Sequence, residues 1–246
     1  MNKQEWLNKC NHWKNKWPQL GLLEFEDDSR GINLYKFIEV LNKNLEEDSV
    51  IVGDAGSSIY VNSQSLQLKG LQRFILDSSQ SGMGASIPMS IGVCLARNKK
   101  DTIVITGDGS FNTNIQELAV IKYHNLPIKI FVWNNLGYLS IRNTQDAFYG
   151  GRRFGTDSKT GLYFPDLCKI AAAYEIGYLK INYNTSLDFV IKQSMKLNEP
   201  CIIEVKCDPE QKIQPSLAFK DGKSCPLQQM SPFLSDEEIE LEMIKN

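Results

Sequence analysis

The stretch Ile103-Val104-Ile105-Thr106-Gly107-Asp108-Gly109-Ser110 decides how this chain is read. Its first four residues are β-branched and show no polar alternation, the pattern of a strand covered on both faces. They run directly into a carboxylate flanked by two glycines. Glycines let backbone N–H groups approach an anion closely, and a helix N-terminus that follows favours negative charge. Asp108 adds a hard oxygen suited to Mg2+, which binds one or two protein groups and bridges phosphate oxygens. Alone, the four-residue turn is equally an ordinary glycine-rich β-to-α connection.

Working outward, a helical pattern from about Asn114 to Tyr123 leads to a strand over Ile128–Trp133, which ends in Asn134-Asn135-Leu136-Gly137-Tyr138. Asn135 stands 27 residues after Asp108, enough for one helix and one strand of a right-handed crossover. The two loops are therefore expected side by side at one sheet edge, where an asparagine amide oxygen can complete a metal's oxygen shell without adding charge. Asn-Asn followed by Gly also reads as a plain turn.

Upstream, Asn33 is placed as the N-cap of a helix carrying Leu34, Phe37, Ile38, Leu41 and Leu45, followed by a strand at Val50–Val52 and a helix through Ile91 and Ala96. Downstream, helix Pro165–Tyr174 precedes strand Tyr178–Ile181, and helix Leu187–Leu197 precedes strand Cys201–Val205. Apolar strands alternating with helices predict an α/β fold, a three-layer parallel sheet with helices on both faces. Ligands of such sheets bind beyond the carboxyl ends of the strands. Residues 1–32 read as a linker-like segment with a short helix bearing Trp6, Cys10, Trp13 and Trp17, either a docking helix or a membrane-surface one. Residues 33–208 form the main domain. Residues 209–246 are a surface extension with an acidic terminal helix around Asp236–Glu242.

With 27 Lys+Arg against 29 Asp+Glu, the net charge of −2 gives no basic field for nucleic acid. The six cysteines include no CxxC pair and only two histidines are present, so a zinc cage is not expected. Cysteines inside apolar runs fit a reduced, cytoplasmic setting, and no apolar run is long enough to cross a membrane.

The run Gly107-Asp108-Gly109-Ser110-Phe111 with Asn114, Glu117-Leu118, Pro127 and Asn134-Asn135 resembles the thiamine-diphosphate (ThDP) motif of thiamine-dependent decarboxylases and carboligases, and most of all the C-terminal domain of the acetolactate synthase large subunit. The resemblance implies a ThDP-binding fold in which Asp108, Asn135 and the Gly137 carbonyl bind Mg2+. Gly109 and Ser110 would hold the diphosphate, with Gly107 and Tyr138 completing that part of the cofactor site. Gly53-Asp54-Ala55-Gly56-Ser57-Ser58 resembles the first diphosphate loop, in which Gly56, Ser57 and Ser58 offer N–H and hydroxyl donors, although a Gly/Ser turn gives the same pattern. Ser81-Gly82-Met83-Gly84 resembles the segment that touches the cofactor rings. The Ser81 carbonyl would meet the aminopyrimidine, and Met83 would be the wedge that bends the cofactor. Met83 could equally fill a gap in the core.

In this superfamily the activating glutamate lies on a separate pyrimidine-binding domain, for which the roughly 32 residues before the main domain leave no room. The resemblance therefore implies no catalytic residue in this chain, a split subunit or a piece of a longer polypeptide, and assembly as a homo- or hetero-oligomer. Whether FAD belongs to that assembly is open. Synthases of the family carry a Met and a Trp that shape the acceptor pocket, and Ser140 and Thr144 stand at those positions here. Small polar residues predict a roomier, wetter pocket for a bulkier or more polar acceptor, such as a keto-sugar derivative. A ThDP-dependent dione hydrolase and a non-catalytic ThDP-binding assembly subunit are the other readings.

Overall fold

The structure, a computed structural model, describes residues 2–18, 27–217, 219–220 and 223–244. Of the linker-like segment, residues 1 and 19–26 lie outside the described residues, as do 218, 221, 222, 245 and 246 of the extension. The chain divides into two units, Met1–Gln211 and Lys212–Asn246.

The first unit is built on six parallel strands: β1 (Val50–Gly53), β2 (Arg73–Ile75), β3 (Thr102–Gly107), β4 (Ile128–Asn134), β5 (Gly177–Ile181) and β6 (Cys201–Lys206), in the order β2-β1-β3-β4-β6-β5. β3 and β4 are in register from Thr102↔Ile128 to Gly107↔Trp133, so their carboxyl ends finish side by side. β1 leads outward to β2 while β3 lies on its other side, with Gly53 paired to Ile105. The connections leaving β1 and β3 therefore diverge and open a crevice, the switch point at which open α/β sheets bind ligands.

Alternate side chains of β4 serve opposite layers. Ile130 and Val132 join the core with Ile87 and Cys94 of α4 (Ser86–Ala96), Leu118 and Ile121 of α6 (Leu118–Tyr123), and Leu167 and Ala171 of α8 (Leu167–Ala173). Phe131 and Trp133 instead meet Phe37 of α2 (Leu34–Asn44), edge to face at centroid distances of 5.3 and 5.6 Å. Each such buried side chain contributes about 1.5–3 kcal/mol of transfer free energy. Asn33 caps α2 as its sequence predicts, accepting the Tyr35 N–H at 2.9 Å. The parallel three-layer fold expected from the strand–helix alternation is the one observed.

Several elements carry little local signal. α3 (Ser57–Ser65) is a polar helix, β2 has only three residues, and α7 (Leu139–Phe148) begins where the sequence reads as a turn. The helix expected from Asn114 is instead α5 (Asp108–Thr113), a 3-10 turn at Ile115–Glu117, and then α6. α9 (Asn184–Met195) begins three residues earlier than predicted.

The expected N-terminal helix is α1 (Lys3–Lys16), with a capping box between Asn2 and Glu5, Trp6 edge-on to Trp13, and no buried residue. In the second unit, β7 (Ser216–Leu217) pairs antiparallel with β10 (Met230–Ser231), and β8 (Phe219–Lys220) with β9 (Lys223–Ser224). The acidic terminal helix is α10 (Asp236–Glu242), capped by the Ser235 hydroxyl on the Glu238 N–H at 3.1 Å.

Candidate functional site

The crevice at the switch point is a cleft of about 160 Å³. Three loops form it. Gly56, Ser57 and Ser58 come from the end of β1, Gly107 to Ser110 from the end of β3, and Asn135, Gly137, Tyr138 and Ser140 from the end of β4. Met83 joins them from the segment before α4. Ser81 and Thr144 are not in its lining. Ser81 adopts φ +51° and is exposed, while Thr144 is exposed one turn along α7 and donates to the Ser140 carbonyl at 3.0 Å.

Asp108 joins the β3 and β4 loops. Its Oδ1 accepts the Gly109 N–H at 2.8 Å and its Oδ2 accepts the Gly137 N–H at 3.0 Å. The side chain is buried, and desolvation pushes its pKa up to about 7, against the opposing effect of those N–H groups and of Arg142. A carboxylate so poor in water gains most from a cation placed beside it. Asn135 is buried on the neighbouring loop and lines the same cleft.

Two glycines are required sterically. A Cβ on Gly109 would lie 2.2 Å from the Tyr138 ring, and one on Gly137, at φ +147°, would lie 2.0 Å from the Thr156 carbonyl oxygen. Tyr138 is steadied by an edge contact with Phe164 at 5.7 Å and by its N–H on the Thr156 carbonyl at 2.9 Å. Gly56 adopts φ +62° and starts α3, whose first N–H groups have no intrahelical acceptor. The Ser58 hydroxyl is already committed, donating to the Ile105 carbonyl at 2.7 Å and accepting the Asp54 N–H at 3.0 Å. Ser58 thus fixes the loop to β3, and what it can offer an anion is its backbone N–H.

Arg142 is a site residue that sequence reasoning missed. It is buried in α7 and donates to the Asn135 carbonyl at 2.9 Å, the Pro209 carbonyl at 2.6 Å, the Leu136 carbonyl at 3.3 Å and the Thr156 carbonyl at 3.4 Å. One guanidinium fork thereby holds the backbone on which Asn135 and Gly137 stand. Burial lowers its pKa from the ordinary arginine value. An arginine in a polar helix looks solvated in sequence, and nothing local shows that it folds back on the preceding loop at Asn135 and Leu136 and reaches Thr156 and Pro209 as well.

The donor set is one carboxylate, one amide and backbone carbonyls, all hard oxygens. Among the described residues, no group of three His, Cys, Asp or Glu could hold a metal ion. A cation at Asp108 would therefore need oxygens from its ligand, as Mg2+ takes from a diphosphate. The buried Asp108 carboxylate and the neighbouring Asn135 amide, both in the lining of the cleft, fit that pairing.

Residues 54–205 match the family described as thiamine pyrophosphate enzyme, C-terminal TPP binding domain, and the chain belongs to that family. It is 28% identical over 219 residues to the acetolactate synthase large subunit of Porphyra purpurea, a match covering 89% of this chain and 35% of that protein. It is 28% identical over 221 residues to the acetolactate synthase large subunit of Buchnera aphidicola, covering 87% and 38%. With acetolactate synthase 2, chloroplastic, of Zea mays it shares 26% over 224 residues, covering 88% and 34%. The chain spans about a third of the length of these curated relatives. It is thus a ThDP-binding domain of that family, similar over most of its length to acetolactate synthases, in keeping with the loop motifs. No helix among the described residues is long and apolar enough to cross a membrane.

Proposed function

We propose that this chain supplies the diphosphate- and Mg2+-binding half of a ThDP-dependent lyase or carboligase acting on a 2-oxo acid. The observation that carries the reading is the single Asp108 carboxylate bonded to both the β3 and the β4 loop. Asp108, Asn135 and the Gly137 carbonyl would hold Mg2+. N–H groups of Gly56, Ser57, Ser58, Gly109 and Ser110 would hold the diphosphate, with Gly107 and Tyr138 completing that part of the site. Met83, in the lining, would support the rings, and Ser81, beside the cleft, would offer the aminopyrimidine its carbonyl. When bound, the cofactor supplies the carbanion and the electron sink for decarboxylation. The chain's own part is to orient that cofactor, neutralise its phosphates and exclude water from one side.

The half-site needs a pyrimidine-binding domain, on another part of the polypeptide or on a partner subunit, and without it the chain is inactive. A homo- or hetero-oligomer in the cytoplasm is the setting we propose for it. Ser140 in the lining, with the exposed Thr144 one turn beyond it, would leave the acceptor side polar and favour a bulky or hydroxylated ketone. The test is reconstitution with the pyrimidine-binding region of an acetolactate synthase, following CO2 release from pyruvate and carboligation to competing acceptors. Release that depends on both parts, with polar ketones preferred over 2-oxobutyrate, is expected. Preference for 2-oxobutyrate overturns the acceptor assignment, and hydrolysis of a cyclic dione without CO2 release overturns the reaction class.

A further inference from the structure

Asp54 joins two walls of the cleft that the family motifs treat separately. It stands at the end of β1 and only 3% of it is exposed. Its Oδ1 accepts N–H bonds from Ala55 at 2.7 Å and from Gly84 at 3.0 Å. Its Oδ2 accepts the Ser86 N–H at 3.2 Å and the Ser86 hydroxyl. Four donors thus converge on one carboxylate, three of them on the turn that follows Met83.

Gly84 is held from other directions as well. Its carbonyl accepts the Asn114 side-chain amide at 3.0 Å, and at φ +82° a Cβ there would lie about 3 Å from Thr113, Asn114 and the Ser110 carbonyl. The residue directly after Met83 is therefore tied to the first loop through Asp54 and to the segment after α5 through Asn114. Met83 itself is 38% exposed at the cleft. A methionine has three soft torsions and makes a poor wedge unless its backbone is fixed.

We propose that Asp54 is a positioning residue: through Gly84 and Ser86 it fixes the backbone that presents Met83, so that the side chain meets the cofactor rings in one pose. The inference rests on the ThDP reading of the cleft. Asp54 touches no reacting atom and acts only through the turn it anchors. It also takes the place of a local cap for α4, which has no side-chain N-cap of its own. A role confined to capping is the competing explanation.

The two roles separate by ligand. Pyrophosphate with Mg2+ offers the phosphates without the rings, whereas ThDP with Mg2+ offers both. Calorimetric titration of the full chain with each ligand, in wild type, Asp54→Asn, Met83→Ala and the double variant, is the experiment. Asp54→Asn and Met83→Ala should each weaken ThDP about tenfold, the scale on which loss of a supporting partner acts on a bound group, and leave pyrophosphate within about twofold. The double variant should be no weaker than Met83→Ala, because one residue acts through the other. Equal losses for both ligands, or additive losses in the double variant, overturn the proposal. Should Asp54→Asn fail to fold, Ser86→Ala removes a single donor and should give a smaller loss with the same preference for ThDP. Equal losses there overturn it as well. A wild-type chain that binds neither ligand removes the cofactor reading and this proposal with it. One that binds pyrophosphate and ThDP with equal affinity removes the ring contact alone.

Discussion

Two charged side chains are buried at opposite ends of the paired strands β3 and β4, and they are treated differently. At the amino end, Lys129 is fully buried and satisfied, donating to Asp101 at 3.1 Å, the Glu199 carbonyl at 3.1 Å and the Pro127 carbonyl at 3.3 Å. At the carboxyl end, Asp108 accepts two backbone N–H bonds, yet desolvation still pushes its pKa up to about 7. The first charge closes the base of the sheet. The second is held at a stability cost that a cation would relieve. In one sheet, then, the end that is closed and the end proposed to bind the cofactor are distinguished by whether the buried charge is already answered.

The comparison can be broken in graded ways. The largest expected effect is from Lys129→Ala, which should cost roughly 3 kcal/mol in denaturant unfolding while leaving affinity for Mg2+ and ThDP unchanged. Asp101 is half-exposed and keeps its hydration, which holds the cost at the lower end of the range for broken buried pairs. Asp108→Asn should do the reverse, weakening Mg2+-dependent ThDP binding roughly a hundredfold or more with little loss of stability, as read by calorimetry beside thermal melts.

A pH titration sharpens the same contrast. The folded carboxyl of Asp108 keeps its proton to about pH 7, while in the unfolded chain it ionises near 3.8. Between those values the folded state binds more protons, so the ligand-free protein should lose stability as pH rises from about 4 to about 7 and then level off. The loss attributable to Asp108 should be absent in Asp108→Asn and reduced by Mg2+ with ThDP. Denaturant midpoints across that range provide the check.

A smaller change is expected from Arg142→Lys, which keeps the charge but cannot reach the same spread of carbonyls. It should weaken Mg2+ binding about tenfold through the Asn135 loop. Recovery of full affinity in that variant would show that charge alone, rather than the fork of bonds, holds the loop.

Most of this site was legible because its parts are local. Asp108 between two glycines at a strand end, and Asn135 one crossover later, are patterns of adjacent residues whose meeting follows from parallel topology. The strands at 50–52, 103–106, 128–133 and 201–205 were equally plain, since each is a largely apolar run inside the sheet, and the half-buried edge strand at 178–181 was marked by Leu179 and Ile181. What escaped the sequence was non-local or weakly patterned. α3 has too few apolar residues to show a helical face, and β2 is only partly buried. The acceptors of Arg142 at Thr156 and Pro209, and the donors of Asp54 at Gly84 and Ser86, become neighbours only once the sheet is assembled. The commitment of the Ser58 hydroxyl to the Ile105 carbonyl depends in the same way on the β1–β3 pairing.

The most direct test places Mn2+ in the site instead of Mg2+, together with ThDP, and follows paramagnetic broadening of backbone and side-chain amides by NMR. Broadening centred on residues 107–110 and 135–138, including the Asn135 side-chain amide, and lost in Asp108→Asn, is the expected result. Broadening that is centred elsewhere, or that persists unchanged in Asp108→Asn, would contradict the account.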